Sequence, residues 1–298
     1  MNYEFSTQLK LMSNVVKAMR PKHWIKNLLV FALPLSDGLI IGSNFDSRAI
    51  ARGLIIFFSL SAMSSANYLL NDIRDVANDR QHEKKKMRPF AAGNLSIGLG
   101  IFLAVVLAIL SIMLSLLVAG VSQYVLLFGI FQFLYTLIFK NLSGYDVVTL
   151  SLLYVFRAVI PASYEGIVLT KWFLVIFFAG ALFLSTSKRY AEIRYSGNEE
   201  TRRVLSTYTE MQLALWIGVS LSLLIISYLN WIFTFTGNTN FLVLLASVIP
   251  ISIILIRVSS LTISRGGEDP TKVLFQQKDN FILVTLWLAL YLKGKGFL

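Results

Sequence analysis
The chain has 298 residues, 56% hydrophobic and 14% charged, with a mean hydropathy of +0.68 and a formal net charge of +11. Soluble domains carry about 25% charged residues, so the composition argues against a soluble enzyme, and the absence of cysteine excludes disulfides, thiol nucleophiles and thiolate metal sites. Apolar stretches recur from residue 27 to 292 without a long polar interval, which predicts one all-α integral membrane domain over 1–298 in place of the two soluble domains that the length alone suggests.

The first 26 residues hold Lys10, Lys17, Arg20, Lys22 and Lys26, with no short apolar core ending in small residues, so a cleaved signal peptide is not expected. In "RPKHWIKN", Trp24 suits a membrane interface and the lysines suit anionic lipid. Lys22 and Lys26 are also candidates for gripping a substrate phosphate. A hydrocarbon core about 30 Å thick needs roughly 17 to 25 helical residues. Nine stretches approach that size, at approximately 27–43, 53–71, 96–118, 122–139, 146–163, 172–187, 211–235, 240–258 and 280–293. Continuous runs of this kind favour helices over a β-barrel. With the N-terminus inside, 21 of the 27 lysines and arginines fall on the cytoplasmic side and five outside, while Arg157 lies within a span. That asymmetry predicts a multi-pass protein of the cell (inner) membrane with a cytoplasmic N-terminus, cytoplasmic segments at 1–26, 72–95, 188–210 and 259–279, and an outside C-terminus. The net charge then reads as topology and lipid contact, not nucleic-acid binding.

The second stretch runs into "NDIRDVANDR" at 71–80. On a continuous helix at about 100° per residue, Asn71, Asp72, Asp75 and Asp79 share an arc of about 100°. Clustered carboxylates repel one another unless a cation neutralises them, and hard oxygens suit Mg²⁺. The plainer alternative is a solvated loop whose acids pair with Arg74, Arg80 and the lysines at 84–86. Asp146 and Arg157 fall on one face of a later helix but about 16 Å apart along its axis. Arg157 is the single mid-span charge, which points to function or to a tie between helices through backbone carbonyls. "STSKRYAEIR" at 185–194 sets Glu192 among Lys188, Arg189 and Arg194. Cations in this pattern suit bare phosphate, or a membrane anchor with Lys188 and Glu192 paired at i, i+4. His23 and His82 have no partner spacing for a metal site. A transporter would spread charges over several mid-membrane positions, whereas nearly all here collect at one face.

"NDIRDVANDRQHEKKKMRPFAAGNLS" resembles the first motif of the UbiA superfamily of intramembrane transferases, with Asn71, Asp72, Asp75 and Asp79 on its acidic part and Arg88, Pro89 and Gly93 on its R-P-x-x-x-G tail. The resemblance implies a nine-span helical bundle with a central cavity open to the cytoplasmic side and the lipid, where Mg²⁺ on the aspartates holds a diphosphate. Members that prenylate aromatic acids carry a second D-x-x-x-D cluster, and this chain has "SKRYAE" there. With "MRPKHWIKNLLVFALPL" (19–35) and, more loosely, "GGEDPTKVLFQQKD" (266–279), the chain is most similar to the branch that moves a phosphoribosyl group from 5-phosphoribosyl diphosphate (PRPP) to a polyprenyl phosphate such as decaprenyl phosphate. In that branch the product feeds synthesis of the cell-envelope arabinose donor. The resemblance implies Mg²⁺ on Asp72, Asp75 and Asp79, with Asn71, Asp72 and Asp75 as the catalytic set. PRPP would be held by Asn71, Arg74, Arg88, Lys188, Arg189, Tyr190 and Glu192, and the polyprenyl phosphate by Lys22, Lys26, Asp146 and Arg157. Asp279 and its loop would face the site. The implied partners are the two substrates and membrane lipid, without nucleic acid, and a homo-oligomer is compatible with this reading. An aromatic prenyltransferase of quinone or haem synthesis is the rival enzyme, and the missing second acidic cluster argues against it.

Overall fold
A computed structural model describes residues 2–41, 44–83, 85–195, 203–235, 240–264 and 277–298. Most of "GGEDPTKVLFQQKD" therefore lies outside the described residues. The described chain is helical: α1 (Asn2–Met19), a 3-10 helix (Pro21–Phe31), α2 (Ala32–Ser36), α3 (Ser47–Arg74), α4 (Val76–Gln81), α5 (Ile97–Leu116), α6 (Ser122–Leu137), α7 (Tyr145–Val159), α8 (Ala162–Glu165), α9 (Lys171–Tyr195), α10 (Glu210–Phe233), α11 (Phe241–Ala246), α12 (Val248–Ser264) and α13 (Lys278–Gly294). Seven helical stretches among the described residues are long and apolar enough to cross a membrane, from Ser47–Arg74 to Phe241–Leu261. They coincide with seven of the nine expected spans. The protein is a multi-pass integral membrane protein.

Of the two remaining stretches, the first differs from expectation. Residues 27–43 do not form one α-helix. A 3-10 helix and the five-residue α2 replace it, followed by turns. Pro34 has no N–H to give the turn behind it, and Gly38 takes the left-handed region at φ 80°. A 3-10 helix rises about 2.0 Å per residue against 1.5 Å for an α-helix, so Pro21–Ser36 extends roughly 30 Å. Its start lies near the end of α3, where Trp24 donates to Ser65 (3.0 Å) and buried Asn27 to Ser61 (3.0 Å). Its far end meets α13, where the Tyr291 hydroxyl donates to the Ser36 carbonyl. The final stretch is α13 itself, 17 residues long.

α3 is the axis of the N-terminal half. Asp46 caps it by accepting from the Arg48 amide at 2.9 Å. Its inward face is rich in serine and alanine, which lets neighbouring backbones come close. Ser59 and Ser111 each donate to the other's carbonyl, at 2.8 and 2.7 Å, which locks α3 against α5. On α5 only the small residues Gly100, Ala104, Ser111 and Ser115 are buried, at helical spacing, and Phe102, Val105, Ile109 and Met113 are left for lipid. In the second half α9 packs between α7 and α10, and α13 packs on α11 and α12. α13 meets α11 so closely that a Cβ on Gly294 would stand 2.8 Å from the Leu244 amide nitrogen. Backbone cannot step aside as a side-chain tip can. Gly294→Ala is therefore expected to destabilise the bundle by about 1–3 kcal/mol, read as a lower thermal midpoint of the purified protein in detergent; an unchanged midpoint counts against the close approach.

Candidate active site
α3 ends at Arg74, Asp75 adopts φ −90° and ψ 4°, and α4 starts at Val76. The helix is therefore broken inside the acidic stretch, and the single arc expected for its acids does not form. Two separate clusters replace it. Asp72, almost wholly buried, accepts from Arg20 and, at 3.2 Å, from Arg88, whose same nitrogen donates to Asp79 at 2.7 Å. Asp75 points elsewhere, where the Lys140 ammonium lies 2.8 and 3.0 Å from its two oxygens and 3.1 Å from the Asn71 amide oxygen. Arg88 owes its position to a turn in which Asn94 donates to the Pro89 carbonyl and Gly93 takes φ 75°, a conformation that favours glycine.

Arg20, Asn71, Asp75, Asp79, Arg88 and Lys140 line one side of a cavity of about 890 Å³, whereas Asp72, buried beneath its two arginines, is not part of the lining. Its wall includes seven cations, Arg20, Lys26, Arg74, Lys85, Arg88, Lys140 and Arg157, against two carboxylates, Asp75 and Asp79. Such an excess suits a polyanionic ligand. At the α7 side, Arg157 donates to Asn27 (2.8 Å) and to the Leu153 carbonyl (2.7 Å), with its guanidinium 4.6 Å from the Phe128 ring. It is buried, and no carboxylate among the described residues lies within 4.0 Å of it. Lys26 and Arg157 both approach the Tyr154 ring, at 5.8 and 5.5 Å. The two residues expected to share an anion are thus brought together. Gln132 lines the same wall with its buried carbonyl oxygen lacking a hydrogen-bond partner.

The remaining sequence candidates lie outside this lining. Asp146 does not join Arg157. It is fully buried and accepts from Arg189 (2.8 Å) and from the Tyr208 hydroxyl, because a carboxylate sealed in the bundle requires a paired cation. Arg189 is equally buried and also donates to Glu192 at 2.9 Å, so both its acids are on hand and it does not face the cavity. Tyr190 packs in the core beside Tyr208 and Leu213, and Lys22 is exposed. Lys188 sits on the same α9 turn, half-buried. Asp279 pairs with Arg257 at 2.9 Å. Arg20, Asn27, Gln132, Lys140 and Tyr208 were not singled out by the sequence. Lys140 carried a signal as an isolated charge between two apolar runs, and Arg20 and Asn27 lie inside the quoted motif at 19–35.

Sequence relatives cover most of the chain. Residues 30–288 match the UbiA prenyltransferase family. The chain belongs to that family. Among curated relatives it is 32% identical over 288 residues to a decaprenyl-phosphate phosphoribosyltransferase of Corynebacterium glutamicum, covering 93% of this chain and 85% of the relative. A protein of the same name from Mycobacterium tuberculosis is 31% identical over 285 residues, covering 94% and 93%. Among solved structures, a UbiA homolog from Archaeoglobus fulgidus bound to DMAPP and Mg²⁺ superposes with a TM-score of 0.71 at 16% identity, covering 96% of this chain and all of that one. The fold is UbiA-like.

The donor chemistry is compatible with Mg²⁺. Asp72 and Asp79 already converge on one cationic nitrogen, and Mg²⁺ commonly takes one or two carboxylates with substrate phosphate and water. No group of three or more acids or histidines closes around one point among the described residues; of the three aspartates expected at the ion, Asp72 and Asp79 share Arg88 and Asp75 is turned to Lys140.

Tyr208 ties the loop before α10 to α7 through Asp146 and the Gly144 amide. Burial, and next the bond to Asp146, push its phenol up to about 12, so it remains a donor at neutral pH. Removing one member of the Asp146–Arg189 pair leaves a buried charge alone, which costs about 3–5 kcal/mol. Asp146→Ala is expected to lower the thermal midpoint sharply and Asp146→Leu with Arg189→Met to recover much of the loss. Equal midpoints for the single variant and wild type would remove the pair from the structural account.

Proposed function
We propose that the protein transfers the 5-phosphoribosyl group from PRPP to a polyprenyl phosphate such as decaprenyl phosphate, releasing diphosphate, in formation of a cell-envelope arabinose donor. The observation that carries this reading is a cation-rich cavity lined by Asp75 and Asp79, with Asp72 joined to Asp79 through Arg88, in a chain about 30% identical over almost its whole length to proteins named for that activity. In the reaction, an oxygen of the lipid phosphate attacks C1 of the ribose while the bond from C1 to the diphosphate breaks. The acceptor is mostly ionised at neutral pH, its second pKa being about 6, so no general base is required. The chain's task is to hold two polyanions in line and stabilise the one that departs.

In this reading Arg88, Arg74 and Lys140 receive the phosphates of PRPP, while Asn71 and Asp75 orient Lys140. Gln132 offers its unpartnered carbonyl to a ribose hydroxyl. Lys26 and Arg157, one of them buried without a carboxylate, take the acceptor phosphate. Asp72 and Asp79 would hold Mg²⁺, which would supply positive charge against the leaving diphosphate. Lys188 and Glu192 remain outside this set. The whole chain forms one transmembrane domain, with Pro21–Ser36 and α13 as its first and ninth crossings. The cavity opens to the cytoplasm and to lipid, the N-terminus is cytoplasmic and the C-terminus is outside, as the lysine and arginine asymmetry requires.

Reconstituted protein given labelled PRPP, polyprenyl phosphate and Mg²⁺ is expected to form labelled lipid, and EDTA to stop it. Asp72→Ala and Asp75→Ala are each expected to lose at least about a hundredfold in turnover with expression intact. Arg157→Met is expected to raise KM for the lipid more than for PRPP. Prenylation of an aromatic acid with no labelled lipid would replace the proposed activity, and full turnover in both aspartate variants would remove the assignment of the acids.

A further inference from the structure
α1 presents two apolar faces. Val15 and buried Ala18 turn inward onto Ala66, Leu69 and Phe90, at the end of the bundle that carries the acidic stretch. Leu9, Met12 and Val16 turn outward and are 51%, 64% and 52% exposed. At about 100° per residue they lie within roughly 60° of one another, so they form a stripe. Lys10 and Lys17, both exposed, share another edge of the helix. An exposed apolar stripe flanked by lysines is the pattern of a helix lying in a membrane interface. The stripe has a continuation: Ile25 and Leu28, each 49% exposed, follow on the 3-10 helix that leads into the bundle.

The junction between α1 and that helix is Arg20. It is the only described non-glycine residue with positive φ, at 55°, a region disfavoured by its Cβ. Contacts on both sides hold it there. The Met19 carbonyl accepts from Ser65 at 3.0 Å, and the Arg20 guanidinium lies 5.2 Å from the Tyr68 ring while bonding Asp72.

We propose that α1 is a membrane-interface helix seated on anionic lipid, and that its seating sets Arg20 onto Asp72, so that turnover responds to the surface charge of the adjoining leaflet. The lysines match anionic headgroups, which attract basic side chains near a charged surface. The second part rests on the activity proposed above. The first does not.

Because the chain has no cysteine, a nitroxide on Met12→Cys or Lys10→Cys of the full-length protein reports one position without further engineering. In nanodiscs of phosphatidylglycerol and phosphatidylcholine, the Met12 label is expected to be more accessible to oxygen than to a nickel chelate, and the Lys10 label the reverse. A Met12 label open to nickel, or one shielded from both reagents with spin–spin broadening from a second copy, overturns the lipid seat. Turnover is expected to fall several-fold in phosphatidylcholine alone, and Leu9→Glu with Met12→Glu to abolish that lipid dependence with an unchanged thermal midpoint. A lipid-seated label with turnover indifferent to lipid charge overturns the link to Arg20 alone. Absence of phosphoribosyl transfer in every lipid, with the label seated, removes the activity reading and leaves the seat standing.

Discussion
A carboxylate inside a helical membrane bundle must be met by a cation, because its hydration is lost and the surroundings offer little to replace it. The architecture near the cavity follows from that requirement. Asp72 draws Arg20 from the N-terminal segment and Arg88 from the turn before α5, Asp75 draws Lys140 from the far end of α6, and Asp146 draws Arg189 from α9. Three segments far apart in the chain are thereby fixed around one end of α3, and α9 is fixed to α7. The partners of Asp72 and Asp75, namely Arg20, Arg88 and Lys140, also supply part of the cationic surface that the cavity shows to its contents.

The exchange of partners makes such a site adaptable. Arg88 shares one nitrogen between two aspartates, and Lys140 shares one ammonium between Asp75 and Asn71. Incoming phosphate offers these cations an alternative acceptor, while a divalent ion offers the aspartates an alternative partner. Neither charge then has to be buried alone during the exchange. Arg157 differs, since it is anchored by Asn27 and a carbonyl instead of an acid. Its position is fixed by neutral acceptors, so an anion entering the cavity would meet no carboxylate among the described residues competing for it.

Seven spans were legible because a run of apolar residues is a sufficient instruction in lipid, where every backbone group must find its partner within the helix. The segment at 27–43 was not, because its apolarity is ordinary and its geometry is decided by Pro34, Gly38 and the side chains of Trp24 and Asn27 reaching α3. The acidic motif was visible as composition, but its shape was not. A helical arc assumes one continuous helix, and the turn at Asp75 sends that carboxylate to Lys140 while Asp72 and Asp79 share Arg88. Lys26 and Arg157, 131 residues apart, were grouped by resemblance, and the structure places both at Tyr154.

The segment "SKRYAE" shows why charge type alone does not assign a ligand. Its arginine was read as a phosphate group's partner, yet Arg189 is among the largest fully buried side chains and already holds Asp146 and Glu192. Where other family members are expected to place a second acidic cluster, this bundle contains an internal ion pair, completed by Tyr208. That pair lies outside the cavity lining, so the charge of the wall is set by Asp75, Asp79 and the seven cations beside them. The end of α3 retains hard oxygen donors, and α9 provides the rigid backing against which α7, carrying Arg157, is held.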